Sequence, residues 1–371
     1  MTTASFSAGT VAEASVSMVN LLVEESRLPL TLRSGRFDRM REPGRSSTGR
    51  PAGRSFRRRS SVMWSRLLAE VHVDQGEMVA LVGESGCGKT TTALAILRMI
   101  EPASGVIRFK GHDITALGAK SVRPLRRGIQ MVYQDPYESL DPRFRVRDTV
   151  AEPLFVHRSA GTRQRRTEQV KQVLSRVDLT PAESYLDRYP HELSGGQRQR
   201  VAIAAALVLA PQLLIADEPV SMLDVSVRTG VLRLFDDLRR THDMGIFMIT
   251  HDLSTVAHFA DRIAVMYRGR IVEEGPTHDV LHNPQHPYTQ ALISAIPRRH
   301  PGQRGVRQLL QDETPDPISI ESGCRFQPRC PLAHEACRAT DPSLRPARGA
   351  KTPRHQAACI LCESPSTPQT W

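Results

Sequence analysis

The sequence predicts an α/β fold, in which a largely parallel sheet carries helices on both faces. Short apolar runs typical of buried strands occur at residues 78–82, 213–216 and 245–250, and helical runs such as 90–99 and 227–240 lie between them. Strands that alternate with helices form parallel sheets, because each helix returns the chain to the start of the next strand. Two more strands are expected, at residues 107–110 and 129–133.

The composition is that of a globular protein and excludes several classes. Of the 371 residues, 40% are hydrophobic and 24% are charged, unlike a disordered chain, a collagen or a coiled coil. The longest apolar run, residues 201–210, stops at Pro211 and is shorter than the roughly 20 residues that cross a bilayer. The first residues lack the basic start and apolar core of a signal peptide. We therefore expect a cytosolic chain that can dock on a membrane protein.

Three regions are expected along the chain. Residues 1–62 are predicted to form a basic, largely flexible arm, with eleven arginines between Arg27 and Arg59. A solvated tail is the favoured interpretation of this arm, and a patch for anionic lipid or nucleic acid is the alternative. The main domain is placed at 63–285, with a helical subdomain at about 140–209, and a Pro-rich extension with most of the cysteines at 286–371.

A phosphate-binding loop is predicted where the strand at 78–82 meets the next helix. Residues 83–90 fit the pattern G-x-x-x-x-G-K-[ST]. Glycines let the backbone wrap around phosphates, and the loop amides and the helix N-terminus attract negative charge. Lys89 is expected to reach the β- and γ-phosphates, and Thr90 to give its hydroxyl to Mg²⁺. The alternative is a chance Gly-rich turn. The residues predicted to contact the nucleotide here are Gly83, Glu84, Ser85, Gly86, Cys87, Gly88, Lys89, Thr90 and Thr91.

Two acids end the apolar strand at 213–216 and complete a hydrolytic site. Asp217 is placed to hold Mg²⁺, and Glu218 to polarise the attacking water, since a carboxylate can orient a water lone pair toward phosphorus. A mere helix cap is the alternative, and it does not explain why the pair accompanies a phosphate loop.

Three further sequence features indicate which class of nucleotide-hydrolysing protein this is. Ser194, Gly195, Gly196 and Gln197 open a helix and make a second anion site. One nucleotide does not need two such sites in one chain, so we expect a dimer in which this loop caps the γ-phosphate held by the other subunit. Two polar residues at strand ends complete the set: Gln134 is expected to sense Mg²⁺ or the lytic water, and His251 to bond the γ-phosphate.

In this order, these residues resemble the ABC ATPase family, with residues 221–224 as the D-loop. Within the family, the chain is similar to the ATP-binding subunits of oligopeptide, dipeptide and nickel importers. That likeness rests on the segments 131–142, 218–227, 286–292 and 323–331.

The resemblance implies a RecA-like core with an inserted helical subdomain, ATP and Mg²⁺ as ligands, and hydrolysis that energises import. It implies a peripheral position at the cytoplasmic face of the membrane, an identical or homologous second ATPase subunit, and permease subunits touched by the helical subdomain and Gln134. An extracytoplasmic solute-binding protein would deliver the solute.

Two other functions stay open at this stage. One is a non-transport ABC ATPase acting on nucleic acid. The other is a decayed paralogue that binds ATP weakly, because the first strand, expected at 21–32, lacks the aromatic residue that stacks on adenine. Phe37 and Trp64 are the candidates for that role, and Met222 and Asp141 are smaller departures from the family pattern.

The cysteines raise a separate hypothesis. Cys324, Cys330, Cys337 and Cys359 form a four-thiolate set, with Cys362 in reserve. A [4Fe–4S] cluster is what the resemblance implies, while zinc and unligated thiols are the alternatives. Cys87, inside the phosphate loop, is expected to have a lowered pKa from Lys89 and the helix N-terminus, but a small residue that fills a tight turn is the favoured interpretation.

Overall fold

The computed structural model describes residues 17–22, 70–102, 104–296, 322–347 and 354–362, the first of these by its backbone alone. Most of the predicted basic arm, with Phe37 and Trp64, lies outside the described residues. Within the described ranges, no helix combines the length and apolar character needed to cross a membrane.

The main sheet has eight strands in the described part of the chain, in the order β11-β12-β10-β9-β3-β8-β7-β6. The strands β9, β3, β8, β7 and β6 pair in parallel, and β10, β11 and β12 add an antiparallel edge. Their bounds are β3 Met78–Val82, β6 Ile129–Val132, β7 Leu213–Asp217, β8 Gly245–Thr250, β9 Arg262–Tyr267, β10 Arg270–Pro276, β11 Arg345–Pro346 and β12 Gln356–Ala357. The predicted parallel sheet is confirmed.

A smaller antiparallel sheet has the order β2-β1-β4-β5, with β1 Ser17–Leu22, β2 Glu70–Asp74, β4 Val106–Phe109 and β5 His112–Asp113. Leu21 of β1 pairs with Val71 on one side and Ile107 on the other. The first strand was expected at 21–32, and the strand described here overlaps that range only at its last two residues. It starts earlier because β2 and β4 each need a central partner, which residues 17–22 supply.

Helices connect the strands and form the inserted subdomain. The core helices are Lys89–Ile96, Ala119–Leu125, Val225–His242, Leu253–Val256 and Thr277–His282, and Pro287–Ser294 is the first helix of the extension. The subdomain contains Pro136–Ser139, Val146–Val156, Arg163–Arg176, Glu183–Leu186 and Gly195–Leu207, with a 3₁₀ turn at Pro190–Glu192. A short helix, Glu335–Ala339, and 3₁₀ turns at Gln327–Arg329 and Ile360–Cys362 lie in the extension.

The hydrophobic core lies on both faces of the main sheet. Alternate residues of β3 point to opposite sides: Ala80 and Val82 join one cluster of buried residues, and Val79 and Leu81 join the other. All five residues of β3 are buried, as expected for a strand covered by helices on both faces. The carboxyl ends of β3, β7 and β8 therefore sit at one rigid edge, where loops can be held in fixed positions.

The C-terminal extension is joined to the main sheet instead of forming a separate lobe. Its strand β12 pairs with β10, with Ala357 opposite Glu273. The carboxylate of Glu273 is fully buried and accepts hydrogen bonds from the backbone N–H groups of Gln285 and His286, both at 2.8 Å. His355 Nε2 lies 2.8 Å from the same carboxylate. These contacts tie β12 and the start of the extension to one buried acid.

Candidate functional site

The phosphate loop follows β3 and leads into the helix Lys89–Ile96, as predicted. Gly86 and Gly88 have φ values of 79° and 111°, which L-amino acids with a side chain rarely adopt. A Cβ at Gly83 would lie 2.2 Å from the carbonyl oxygen of Met266 in β9. The loop can therefore be this tight only with glycine at these three positions.

Lys89 lies across the loop with its side chain buried. Its Nζ donates hydrogen bonds to the carbonyl oxygens of Gly83 at 2.8 Å and Glu84 at 2.9 Å. The loop thus folds around its own ammonium group and presents positive charge beside the helix N-terminus. This combination suits a bound triphosphate.

Thr90 and Asp217 meet where magnesium is expected. Thr90 Oγ1 donates to Asp217 Oδ2 at 2.8 Å, while Oδ1 of the same carboxylate is buried and has no hydrogen-bond partner among the described residues. Burial raises the pKa of Asp217, and the charge of Glu218 adds to this, although Thr90 and Lys89 oppose it. A buried carboxylate oxygen without a donor, beside a hydroxyl, fits a hard cation that prefers oxygen ligands.

Glu218 brings together the three predicted catalytic residues. Its Oε2 accepts a hydrogen bond from Gln134 Nε2 at 3.1 Å, and its Oε1 lies 3.1 Å from His251 Nδ1. The backbone of Glu218 has φ of 44°, and its N–H donates to the Ile249 carbonyl of β8 at 2.8 Å. A left-handed conformation is costly for a glutamate, so the neighbouring strand must hold it there.

These residues surround a cavity of about 530 Å³. The cavity is lined by Ser85, Gly86, Gly88, Lys89, Thr90, Thr91, Gln134, Glu218, Ser221, Met222 and His251. Gly83, Glu84, Cys87 and Asp217, also predicted to contact nucleotide or its magnesium, are not part of this lining, although Asp217 contacts Thr90 of it. Ser221 and Met222 also line the cavity, although they were not among the predicted nucleotide contacts. Their position three and four residues after Glu218, in the segment interpreted as the D-loop, is the sequence feature that could have indicated this.

The second predicted anion site stands apart from this cavity within the chain. Ser194 caps the helix Gly195–Leu207: its Oγ accepts from Gln197 N at 3.3 Å, and Gln197 Oε1 accepts from Ser194 N at 3.0 Å. Gly196 is pressed against the helix Val225–His242, where an added Cβ would lie 2.7 Å from Val227 Cγ1. None of the four residues Ser194, Gly195, Gly196 and Gln197 lines the cavity described above.

The prediction that the pKa of Cys87 is lowered was wrong. Burial raises the pKa of its thiol, and the nearby positive charge of Lys89 only partly opposes this. The residue is 6% exposed, so the cost of an uncompensated thiolate outweighs the attraction to the ammonium. Cys87 is therefore a small buried side chain in a tight turn.

The other five cysteines gather in the extension as free thiols. Cys324 N donates to the Cys337 carbonyl at 2.8 Å. Burial raises the pKa of Cys324 and raises that of Cys330 to about 11, whereas a hydrogen bond from Cys362 lowers the pKa of Cys359 to about 7. Among the described residues, no group of three or more His, Cys, Asp or Glu side chains is arranged to hold a metal ion. The raised pKa values of Cys324 and Cys330 disfavour the thiolate form at these two positions.

Two known families match the sequence. Residues 69–221 match the ABC transporter family, and residues 272–337 match the oligopeptide/dipeptide transporter C-terminal region. The second match covers the segment that docks on the main sheet through Glu273.

Several relatives and solved structures are similar over most of the described chain. The oligopeptide transport ATP-binding protein AppF of Bacillus subtilis is 44% identical, covering 77% of this chain and 86% of AppF. The di/tripeptide transport ATP-binding protein DppF of Pseudomonas aeruginosa is 45% identical, covering 74% of this chain and 84% of DppF. The structure of cbiO1 from Clostridium perfringens matches with TM-score 0.54 and 29% identity over 59% of this chain and 84% of cbiO1. The ATP-binding cassette MJ0796, solved as a dimer with ADP and Pi, matches with TM-score 0.52 and 28% identity over 57% of this chain and 89% of MJ0796.

Proposed function

The chain belongs to the ATP-binding subunits of ABC transporters, and on that premise we propose that it hydrolyses ATP to energise the import of peptides across a membrane. The observation that carries this function is one cavity that the phosphate loop and Glu218 both line, with Asp217 hydrogen-bonded to Thr90 of that lining. Peptide import is supported by the match of the extension to the oligopeptide/dipeptide transporter region.

The roles of the side chains follow from their contacts. The loop amides and Lys89 would bind the phosphates, and Thr90 and Asp217 would hold Mg²⁺, which would neutralise phosphate charge when bound. Glu218 would orient the attacking water, because its carboxylate is already fixed by Gln134 and His251. His251, more than half exposed at the cavity rim, is free to turn toward a γ-phosphate.

A second ATPase subunit is the first partner. Ser194 and the glycines after it offer a helix N-terminus that lies outside the lining of the nucleotide cavity, which supports a role opposite the nucleotide of another subunit. The dimer of MJ0796 supports the same arrangement. The partner is an identical or a homologous chain, and a copy of this chain supplies Ser194 and the glycines after it.

Permease subunits are the second partner. Exposed aromatic side chains cluster in sequence around Gln134 and the first helices of the inserted subdomain: Tyr133, Tyr137, Phe144 and Phe155. Large exposed apolar side chains of this kind favour a protein contact. Docking there would place the chain peripherally at the cytoplasmic face of the membrane and connect the permease to Glu218 through Gln134.

The two other functions are not favoured. The relatives above are named for peptide transport, which does not support an ATPase that acts on nucleic acid. The phosphate loop, Asp217 and Glu218 keep the contacts that hydrolysis needs, which does not support a decayed paralogue.

A metal at the cysteines stays a prediction with limited support. Four thiols lie in one small segment of the fold, but they are not arranged as ligands in the described residues. Iron and zinc analysis of protein purified without oxygen, with an absorbance spectrum, tests it. Iron near four equivalents with a broad visible band supports the cluster, one equivalent of zinc supports the alternative, and neither metal leaves the thiols unligated.

Peptide uptake tests the proposed function. Deletion of the gene from its host should abolish uptake of a labelled di- or oligopeptide and leave uptake of a free amino acid unchanged. The wild-type chain should restore uptake and the Lys89→Ala chain should not. Unchanged peptide uptake in the deletion strain, with the chain purifying on nucleic acid and not with integral membrane proteins, would refute the assignment.

A further inference from the structure

The phosphate loop contains a carboxylate that does not line the nucleotide cavity. Glu84 follows Gly83 directly, yet its side chain turns away from the cavity toward the C-terminal extension. An anionic side chain inside a loop that binds triphosphate needs a neutralising partner, because like charges at close range oppose binding.

Arg329 of the extension supplies that partner. Its Nη1 lies 2.9 Å from Glu84 Oε2 and its Nη2 lies 3.2 Å from Oε1, so the two groups form a two-pronged ion pair. The Arg329 side chain is 6% exposed and that of Glu84 is 21% exposed. Such parallel hydrogen bonds between planar groups fix direction as well as charge.

Tyr288 of the extension holds the same residue by its backbone. The N–H of Glu84 donates to the Tyr288 hydroxyl at 3.0 Å, and the Tyr288 ring is fully buried. Burial raises the pKa of the Tyr288 hydroxyl, which therefore stays neutral. Both the backbone and the side chain of Glu84 are thus set by residues more than two hundred positions further along the chain.

A packed aromatic cluster fixes these two partners. Phe326 packs on Tyr267 with ring centroids 5.2 Å apart and on Tyr288 at 5.5 Å, and Tyr267 and Tyr288 lie at 4.7 Å. Tyr267 ends β9, beside the phosphate loop on β3. Because the cluster is buried, the extension cannot move from the core without shifting the partners of Glu84.

We propose that Arg329 and Tyr288 are positioning residues for ATP binding, through which the C-terminal extension sets the charge and shape of the phosphate loop. This inference rests on the proposed function. It makes the extension part of the nucleotide site: loss of Arg329 would remove the two-pronged ion pair that neutralises the Glu84 carboxylate, and loss of the Tyr288 hydroxyl would remove the hydrogen bond of the Glu84 amide. By linkage, bound ATP strengthens the contact between the extension and the core.

The alternative is that the ion pair only anchors the extension. The two roles differ in what happens when both partners are removed. An anchor lost by Arg329→Gln is not regained by a second substitution, whereas the negative charge that Arg329 no longer neutralises is removed when Glu84→Gln is added.

The test is the equilibrium affinity for Mg²⁺-ATP of five full-length proteins, with their thermal midpoints: wild type, Arg329→Gln, Glu84→Gln, the double variant, and Arg338→Gln. Arg338 is exposed in the same segment, so its variant removes an equal charge without touching the loop. Arg329→Gln should weaken affinity by roughly five- to fifty-fold, a usual range for coupled sites. The double variant should bind more tightly than Arg329→Gln, close to Glu84→Gln, and Arg338→Gln should bind like wild type.

Two results would overturn the inference. One is an Arg329→Gln protein that melts earlier but binds ATP like wild type, and the other is a double variant that binds more weakly than Arg329→Gln. If Arg329→Gln does not fold, Tyr288→Phe decides instead: it keeps the ring and removes the acceptor, so unchanged affinity contradicts the inference. A folded wild-type protein that binds no ATP would refute the proposed function itself, which separates the two failures.

Discussion

Asp217 is proposed to bind magnesium, and the burial of its carboxyl group lowers the stability of the nucleotide-free protein when that group is charged. Burial raises the pKa of its carboxyl group, so the folded protein holds the proton more tightly than the unfolded chain does. The contribution of this group to stability is therefore fully present below the unfolded pKa and is lost as the pH rises through the folded pKa. One of the carboxylate oxygens also lacks a hydrogen-bond partner among the described residues, which adds to the cost of the charged form.

Asp217→Asn should therefore raise the thermal midpoint of the nucleotide-free protein at pH 7 by about 2 °C, and abolish magnesium-dependent hydrolysis. The gain should shrink as the pH is lowered toward 4, because the wild-type carboxyl group then binds its proton. Thermal melts across pH 4 to 8 measure this, with the exposed Glu168→Gln as the control. A midpoint that falls at pH 7, or a gain that does not depend on pH, would contradict the account.

The cysteine thiols should differ in reactivity, because their surroundings shift their pKa values in different directions. Thiolate is the reactive form, so alkylation follows pKa and exposure. Cys359, with a pKa lowered to about 7 by its hydrogen bond with Cys362, should be labelled by iodoacetamide at pH 7.5 before Cys330, whose pKa is raised to about 11. Cys87, buried and with a raised pKa, should be labelled slowly. Peptide mass spectrometry over a pH series measures the order, and early labelling of Cys87 would show that the loop opens.

Two variants that each remove a helix cap distinguish the structural role of Ser194, at the start of the helix Gly195–Leu207, from its proposed role in ATP hydrolysis. Ser194→Ala removes the helix cap, and Thr162→Ala removes the equivalent cap of Arg163–Arg176, in which Thr162 Oγ1 accepts from Arg165 N at 3.3 Å. Each loss should cost about 1 kcal/mol of stability. Only Ser194→Ala should also reduce ATP hydrolysis, by roughly tenfold or more, because only that helix N-terminus would face a nucleotide. Equal hydrolysis by the two variants would remove the argument for a second subunit.

The strands and helices differ in how far the sequence could predict them. The parallel strands were predictable because long apolar runs such as 245–250 are buried on both faces. The position of β1 was not, because a short sequence gains its strand form only from pairing with both β2 and β4. Strands β11 and β12 have two residues each, too short for any periodicity.

The candidate site also contains some residues that the sequence could predict and some contacts that it could not. Lys89, Thr90, Asp217 and Glu218 were predictable, because their roles follow from local patterns at strand ends. The bond between Glu84 and Arg329 was not, since it joins residues 245 positions apart and no local pattern links them. The pKa of Cys87 was misjudged because its burial, which depends on β9 and the extension, outweighs the charge of Lys89 next to it in sequence.

The whole molecule is organised around one sheet that joins two regions of different character. Strand β3 carries the phosphate loop and pairs with β9, and β9 pairs with β10, onto which the extension is built through β12. A short path of paired strands therefore connects the thiols of the extension with the nucleotide cavity. On the opposite side, β8 and β7 bring His251 and Glu218 to that cavity.

The measurement that tests the central claim most directly is Mg²⁺-ATP binding and hydrolysis by the purified chain beside Glu218→Gln. The wild type should bind and hydrolyse ATP. Glu218→Gln should bind ATP with similar affinity, lose turnover by about a hundredfold or more, and accumulate as an ATP-bound dimer, while Glu168→Gln should behave like wild type. Hydrolysis by Glu218→Gln at the wild-type rate, or a folded wild-type chain that binds no ATP, would contradict the account.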